Sequence, residues 1–190
     1  IETENKRERE RAREKDAIEL MKALQIDKFS SDVMTWKDNI LTSTTTGWHT
    51  SMASYPLPNT SVSYWTVTVL CSGPISIGIT AATSPMVTAY KDKSTYWYHS
   101  SRVNVTCVSG EEQTSAGWPG WKKGDVAVFK YDPIASCLSV HHSLNGLVYI
   151  RKNITNHLYR VVVFANYSGA GHAVEIQLPD RDEMSLFESS

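Results

Sequence analysis

The stretch Tyr64-Trp65-Thr66-Val67-Thr68-Val69 alternates without a break. In an extended strand successive side chains point to opposite faces, so Trp65, Val67 and Val69 share one face and the threonines the other. Ser72-Gly73-Pro74 is a turn signal, and Ile75, Ile77 and Ile79 then repeat the period of two. The pair predicts a hairpin with one buried face. Downstream, Gly124-Asp125 precedes a strand at residues 126–131, Asp132-Pro133 ends it, and a second strand occupies 138–142. Asn145-Gly146 suits a type I′ turn, in which both central residues need a positive φ, so 138–142 should pair with 147–150. YRVVVFA at 159–165 is apolar on both faces, as a central strand between layers would be, and AVEIQL at 173–178 puts Val174, Ile176 and Leu178 inward. Short strands about every ten residues, with turns and no helices among them, indicate an all-β fold: an antiparallel two-sheet β-sandwich.

The N-terminus reads differently. The chain has 190 residues, with 19 Lys+Arg against 20 Asp+Glu and a net charge of −1. Much of that charge sits in ETENKRERERAREKD at 2–16, where Glu4 with Arg7, Glu8 with Arg11 and Glu10 with Arg13 would be neighbours on a helix. Ala17, Met21 and Leu24, flanked by Ile18 and Leu20, then recur at helical spacing. Residues 1–38 are therefore expected to form a charged, amphipathic α-helix. It is either a solvated helix docking its last turns on the domain or the end of a coiled coil. A start at Ile1 without an initiator Met favours a piece of a longer protein. Thr42-Ser43-Thr44-Thr45-Thr46-Gly47 reads as a polar linker, with the sandwich spanning 39–190.

The order of the strand motifs resembles the SPRY-domain family. Tyr64-Trp65-Thr66-Val67 looks like the YWEV strand of that family, and Ile77-Gly78-Ile79-Thr80 like the glycine-containing strand after it. Trp121-Lys122-Lys123-Gly124-Asp125-Val126-Ala127-Val128 resembles its GD strand, with Tyr131-Asp132 closing it. Residues 139–146 resemble its NG hairpin, and Tyr159-Arg160-Val161-Val162-Val163 its late strand. The match runs from about Ser63 to Leu178. Thr66 replaces the acidic residue of YWEV, Arg160 stands where Pro is usual, and no LDP-type motif precedes the series. The resemblance implies a non-catalytic module that binds a protein or peptide through loops at one end of the sandwich. A coiled coil before such a domain is the arrangement of tripartite-motif ubiquitin ligases, in which this would be the substrate-recognition end.

Side-chain chemistry points the same way. Near-neutral charge argues against coating nucleic acid, and no apolar run approaches the roughly 18–20 residues of a membrane span. Cys71, Cys107 and Cys137 form neither an even disulfide set nor a CxxC knuckle, which fits a cytoplasmic protein. His141 and His142, adjacent on a strand, would point to opposite faces, and no HxH or HxxxH spacing occurs. No GxSxG elbow and no glycine-rich phosphate loop is present, so neither a catalytic residue nor a cofactor or metal ligand is expected. Sequons at Asn59, Asn104, Asn153 and Asn166 keep an extracellular alternative open.

Aromatic segments are the remaining clue, because Tyr and Trp supply large contact area at low entropic cost. If Trp97 is a core anchor, Tyr96 and Tyr98 fall opposite it and could be exposed. The candidate partner-binding residues are Tyr90, Tyr96, Tyr98, His99 and Arg102 from residues 90–102, Trp118 and Trp121 from 114–121, and Trp48. The alternative for Trp97 and Trp121 is a place in the core. The leading expectation is a protein-recognition module, with a homodimer through the N-terminal helix. The rivals are a lectin-like sandwich stacking its aromatics on sugar rings and a purely architectural domain.

Overall fold

In the computed structural model, which describes residues 34–43, 45–99, 105–114, 117–154, 158–167 and 171–187, the alternating stretch is a strand of a two-sheet sandwich. One sheet runs, in spatial order, β1 (Met34–Lys37), β2 (Ile40–Ser43), β13 (Gly171–Gln177), β4 (Ser63–Val69), β9 (Val126–Asp132), β10 (Cys137–His142) and β11 (Leu147–Arg151). The other runs β3 (Gly47–Met52), β12 (Tyr159–Tyr167), β5 (Ile75–Ala81), β6 (Thr95–His99), β7 (Val105–Val108) and β8 (Glu111–Thr114). Every pairing is antiparallel.

Alternation builds the core as expected. Trp65, Val67 and Val69 from β4 face Ile75, Ile77 and Ile79 from β5, all buried, and the Trp65 ring stacks on Phe129 at 5.1 Å. Val174 and Ile176 point inward, and β12 lies between β3 and β5 with both faces covered. The expected hairpin of 64–69 with 75–79 does not form, however. Both strands bury apolar faces in the same interior from opposite sides, so Ser72-Gly73-Pro74 carries the chain from one sheet to the other.

Three other expectations change. Residues 1–33 lie outside the described residues, so the N-terminal helix cannot be placed. Met34–Lys37 is not its end but strand β1, so the sandwich begins ahead of Asn39. Asp38 and Asn39, with φ of 52° and 64°, make the two-residue turn into β2, the left-handed conformation that these short polar side chains tolerate. Half of the supposed linker is strand: Thr42 and Ser43 end β2 and Gly47 starts β3. Residues 138–142 do pair with 147–151, but His142 is opposite Leu147, leaving residues 143–146 as a four-residue connection. Of Asn145 and Gly146 only the glycine has a positive φ, so the type I′ turn is not adopted. Asn145 works instead through its side chain, whose Oδ1 accepts from the Leu147 amide at 3.1 Å.

A 3-10 helix, Met86–Lys91, does occur among the strands, between β5 and β6. It covers the outer face of the second sheet, where Met52, Ala89, Trp97, Cys107, Val162 and Phe164 form a second, smaller core. At the C-terminus, α1 (Arg181–Ser185) is started by a capping box between Asp180 and Glu183.

Candidate functional site

Because consecutive strands alternate in direction, the connections divide between two ends. Those leaving β2, β4, β6, β8, β10 and β12 lie at one end, here the upper end; those leaving β1, β3, β5, β7, β9 and β11 lie at the other. Of the described residues expected to bind a partner, Trp48, Tyr98, His99, Trp118 and Trp121 map to the upper end, Tyr90 to the outer face of the second sheet, and Tyr96 to the opposite end, beside Ser109 and Tyr159. Trp48 is 53% exposed, near the start of edge strand β3. Tyr90 is half-buried, 6.2 Å from the Trp48 ring and stacked on Trp97 at 4.8 Å, with its hydroxyl donating to Glu112. Arg102 lies outside the described residues.

Tyr96, Tyr98, His99, Trp118 and Trp121 are buried, against the expectation that they present their side chains outward. The alternation at 96–98 is real, yet both faces of β6 are covered. Tyr96 and Tyr98 enter the main core, while Trp97 packs beneath the 3-10 helix. Sequence alone could not reveal that cover, which comes from a segment remote in the strand pairing.

These buried rings form a frame. Trp118 Nε1 donates to the His99 carbonyl and Trp121 Nε1 to the Tyr98 carbonyl, each at 2.8 Å, pinning the β8–β9 segment across the end of β6. Trp118 lies 4.6 Å from Tyr98, 4.6 Å from Trp121 and 5.0 Å from Tyr149. The Tyr149 hydroxyl donates to the Gly117 carbonyl at 2.5 Å and accepts from Asn145 Nδ2 at 2.6 Å, tying the β10–β11 turn to the same frame. Arg151 reaches from β11 to the Thr106 hydroxyl, bridging the two sheets. Burial raises the Tyr98 phenol well above its usual range, so it is a neutral donor to the Tyr149 carbonyl.

His142 sits within this frame, fully buried. Its ring stacks on Trp121 at 4.9 Å and meets Trp118 edge-on at 5.3 Å. Nε2 is 3.0 Å from the Gly120 carbonyl and 3.6 Å from Asp125 Oδ2. Burial holds the imidazole below its ordinary value near 6.5, and the Gly120 carbonyl and Asp125 oppose that shift only in part. His141 points to the other face, as the strand requires.

What the frame presents to solvent was missed in the sequence. Leu144 and Leu147, each 53% exposed, flank Asn145-Gly146 on the β10–β11 turn. Two leucines bracketing a turn dipeptide, where polar residues are usual, were the available signal. Four more large apolar side chains, Tyr55, Val62, Ile134 and Leu158, are exposed on the connections at the opposite end. The sequons Asn59 and Asn153 lie there too, both exposed, whereas Asn166 is in β12 and Asn104 is outside the described residues.

The three cysteines are poor nucleophiles. Burial pushes the Cys107 thiol up to about 12 and also raises Cys71 and Cys137, so all three are protonated near neutrality, the unreactive form. No group of three or more His, Cys, Asp or Glu is placed to hold a metal ion among those residues.

The architecture has clear counterparts. The SPRY domain of human HERC1 superimposes with a TM-score of 0.63 at 15% identity, covering 81% of this chain and 94% of that one. The TRIM65 PSpry domain gives 0.62 at 14% identity, covering 83% and 92%. The fold is a divergent SPRY-domain fold. A human SPRY domain gives 0.54 at 16% identity, covering 78% and 97%. No protein-family model matches the sequence, and no curated protein does. Thr66, the departure from YWEV, is buried in the SPRY-like sandwich and donates its hydroxyl to Glu183 at 3.1 Å. A carboxylate thus reaches this position from α1. Phe187, just beyond, packs 6.0 Å from Tyr64 and covers the same outer face.

Proposed function

We propose that this chain is a non-catalytic recognition module that binds a peptide or protein through the upper end of its SPRY-like sandwich. The observation that carries the reading is the exposed Leu144–Leu147 pair held on a buried aromatic frame. Exposed apolar side chains on a rigid, hydrogen-bonded support lose little entropy on docking, which favours affinity. Trp48 and Tyr90 offer a second patch, on the outer face of the second sheet. Four buried members of the expected set, Tyr98, His99, Trp118 and Trp121, serve this surface by positioning it, whereas Tyr96 packs at the opposite end.

In a parent built like the tripartite-motif ligases, this end would recognise the substrate, with the residues ahead of β1 supplying a homodimer. The three free thiols accord with a cytoplasmic setting, and no helix among the described residues is long and apolar enough to cross a membrane. Neither nucleic acid nor a membrane is part of the proposal.

Peptides selected from a displayed random library against the wild-type chain test the reading. Leu144→Asp/Leu147→Asp is expected to weaken those peptides at least about tenfold at pH 7.5, because charge replaces apolar contact at the centre. Its melting temperature should stay close to wild type, since both positions are half exposed. Ile134→Asp, at an 80% exposed site on the opposite end, should leave affinity unchanged. The reverse pattern would move the surface to the opposite end. A glycan array that captures the chain, when no peptide does, would replace the reading with the lectin one.

A further inference from the structure

His142 does more than fill space, because it fastens two loops of the upper end at once. The Leu144 amide can only donate, and it lies 3.1 Å from Nδ1, so Nδ1 must be bare. The Gly120 carbonyl can only accept, and it lies 3.0 Å from Nε2, so Nε2 must carry the hydrogen. A single species satisfies both: the neutral Nε2–H tautomer. One buried imidazole therefore joins the 143–146 turn, which bears Leu144, to the β8–β9 segment.

We propose that His142 is an acid-sensitive latch that positions the partner surface, released when a proton on Nδ1 confronts the Leu144 amide. Two donors then face each other, and the Leu144 amide loses its acceptor. The turn carrying the exposed leucine is freed from the frame. This deepens the proposed function and rests on that reading of the upper end.

The surroundings offer little to offset the new charge. Asp125, from the β8–β9 segment, is the only carboxylate facing the ring among the described residues, and its Oδ2 already accepts from the Lys122 amide at 2.7 Å. The Lys122 and Lys123 side chains are exposed. His141, the neighbour on the same strand, opposes protonation. Trp118 and Trp121 pack on the ring without charge, and the phenols behind Trp118, Tyr98 and Tyr149, each donate to a carbonyl. Ala127 on β9 and Leu147 on β11, opposite His142 in the register, are uncharged.

The sign follows from linkage. A buried histidine with a lowered folded value is neutral in the fold while an unfolded one takes up its proton, so the closed state loses stability as pH falls below about 6.5. The latch stays closed until the pH falls below the lowered value of the buried ring, where Nδ1 takes up its proton.

Nitrogen chemical shifts of the His142 ring, together with amide exchange corrected for intrinsic rate, test this on the wild-type chain from pH 7.5 to 5. At pH 7.5 Nδ1 should be bare. As the ring titrates, Leu144 protection should fall about tenfold, the scale of one lost buried hydrogen bond. Ile154, whose amide bonds the Ser136 carbonyl at the opposite end, should keep its protection. In His142→Asn the side-chain oxygen can still accept from Leu144 but cannot titrate, so Leu144 protection should be independent of pH. A proton on Nδ1 at pH 7.5, or unchanged Leu144 protection through the titration of the ring, would overturn the latch. The wild-type measurement decides even if the variant does not fold. None of these readouts needs a partner, so failure of the latch is distinct from failure of the binding reading, which the leucine variants report at pH 7.5.

Discussion

Trp118→Ala is expected to cost about 3–5 kcal/mol, the range for deleting a buried large aromatic side chain. For a chain of this size that lowers the melting temperature by on the order of 10 °C. The indole has no solvent exposure, and its N–H satisfies the His99 carbonyl. Its ring touches Tyr98, Trp121, His142 and Tyr149, so alanine would leave a cavity bordered by four aromatic rings. Trp118→Phe should lose less, keeping most of the volume and giving up the hydrogen bond. Trp48→Ala is the matched comparison, since that indole is half exposed and, among the described rings, meets Tyr90 alone. It should change stability by no more than about 0.5 kcal/mol. Thermal denaturation followed by circular dichroism reads all three. Equal, small shifts for Trp118→Ala and Trp48→Ala would mean that the aromatic frame is not what holds the upper end.

Gly78→Ala should be costly for the opposite reason, overpacking. A methyl group built there would lie 1.9 Å from the Tyr96 carbonyl oxygen and 2.7 Å from the Trp97 Cα. Both obstacles are backbone of β6, the strand paired with β5, so no side chain can rotate away. The sheet itself has to yield, which places the cost at the upper end of about 1–3 kcal/mol. The damage would spread through β6 to both cores, since Tyr96 enters one and Trp97 the other. Gly171→Ala, with open space around the added methyl, should stay within about 0.5 kcal/mol of wild type. Comparable melting temperatures for the two variants would refute the close approach. A space-filling requirement thus explains the glycine of Ile77-Gly78-Ile79-Thr80, one of the motifs that marked the fold.

Much of the fold was legible because a strand advertises its buried face locally. Residues 64–69 and 173–178 read as strands from period-two patterns and 159–165 from a run apolar on both faces, and each marks a strand of the structure. The GD strand and the hairpin joining 138–142 to 147–150 also hold. Partner choice between strands was less legible. β4 and β5 have the pattern of a hairpin but belong to different sheets, because a shared interior imposes the same alternation on strands that face each other as on strands that pair. β1 went unread behind the helical periodicity upstream, although Asp38-Asn39 carried the turn chemistry.

The exposure of the candidate residues was misread. The aromatic segments around Tyr98 and Trp118 do meet near one end of the sandwich, but as its support; the exposed residues are two leucines on a turn. By itself the sequence determined that this is an antiparallel sandwich of SPRY type, since pattern, turns and motif order are all local properties of the chain. Only the tertiary structure decided which faces stay wet. Exposure depends on what packs over a strand, and the cover over Trp97 and Thr66 comes from a 3-10 helix and a C-terminal helix that the strand pattern does not encode. The same holds for His142. Its role comes from the Gly120 carbonyl and the Leu144 amide converging on one ring, 22 residues apart on one side and two on the other.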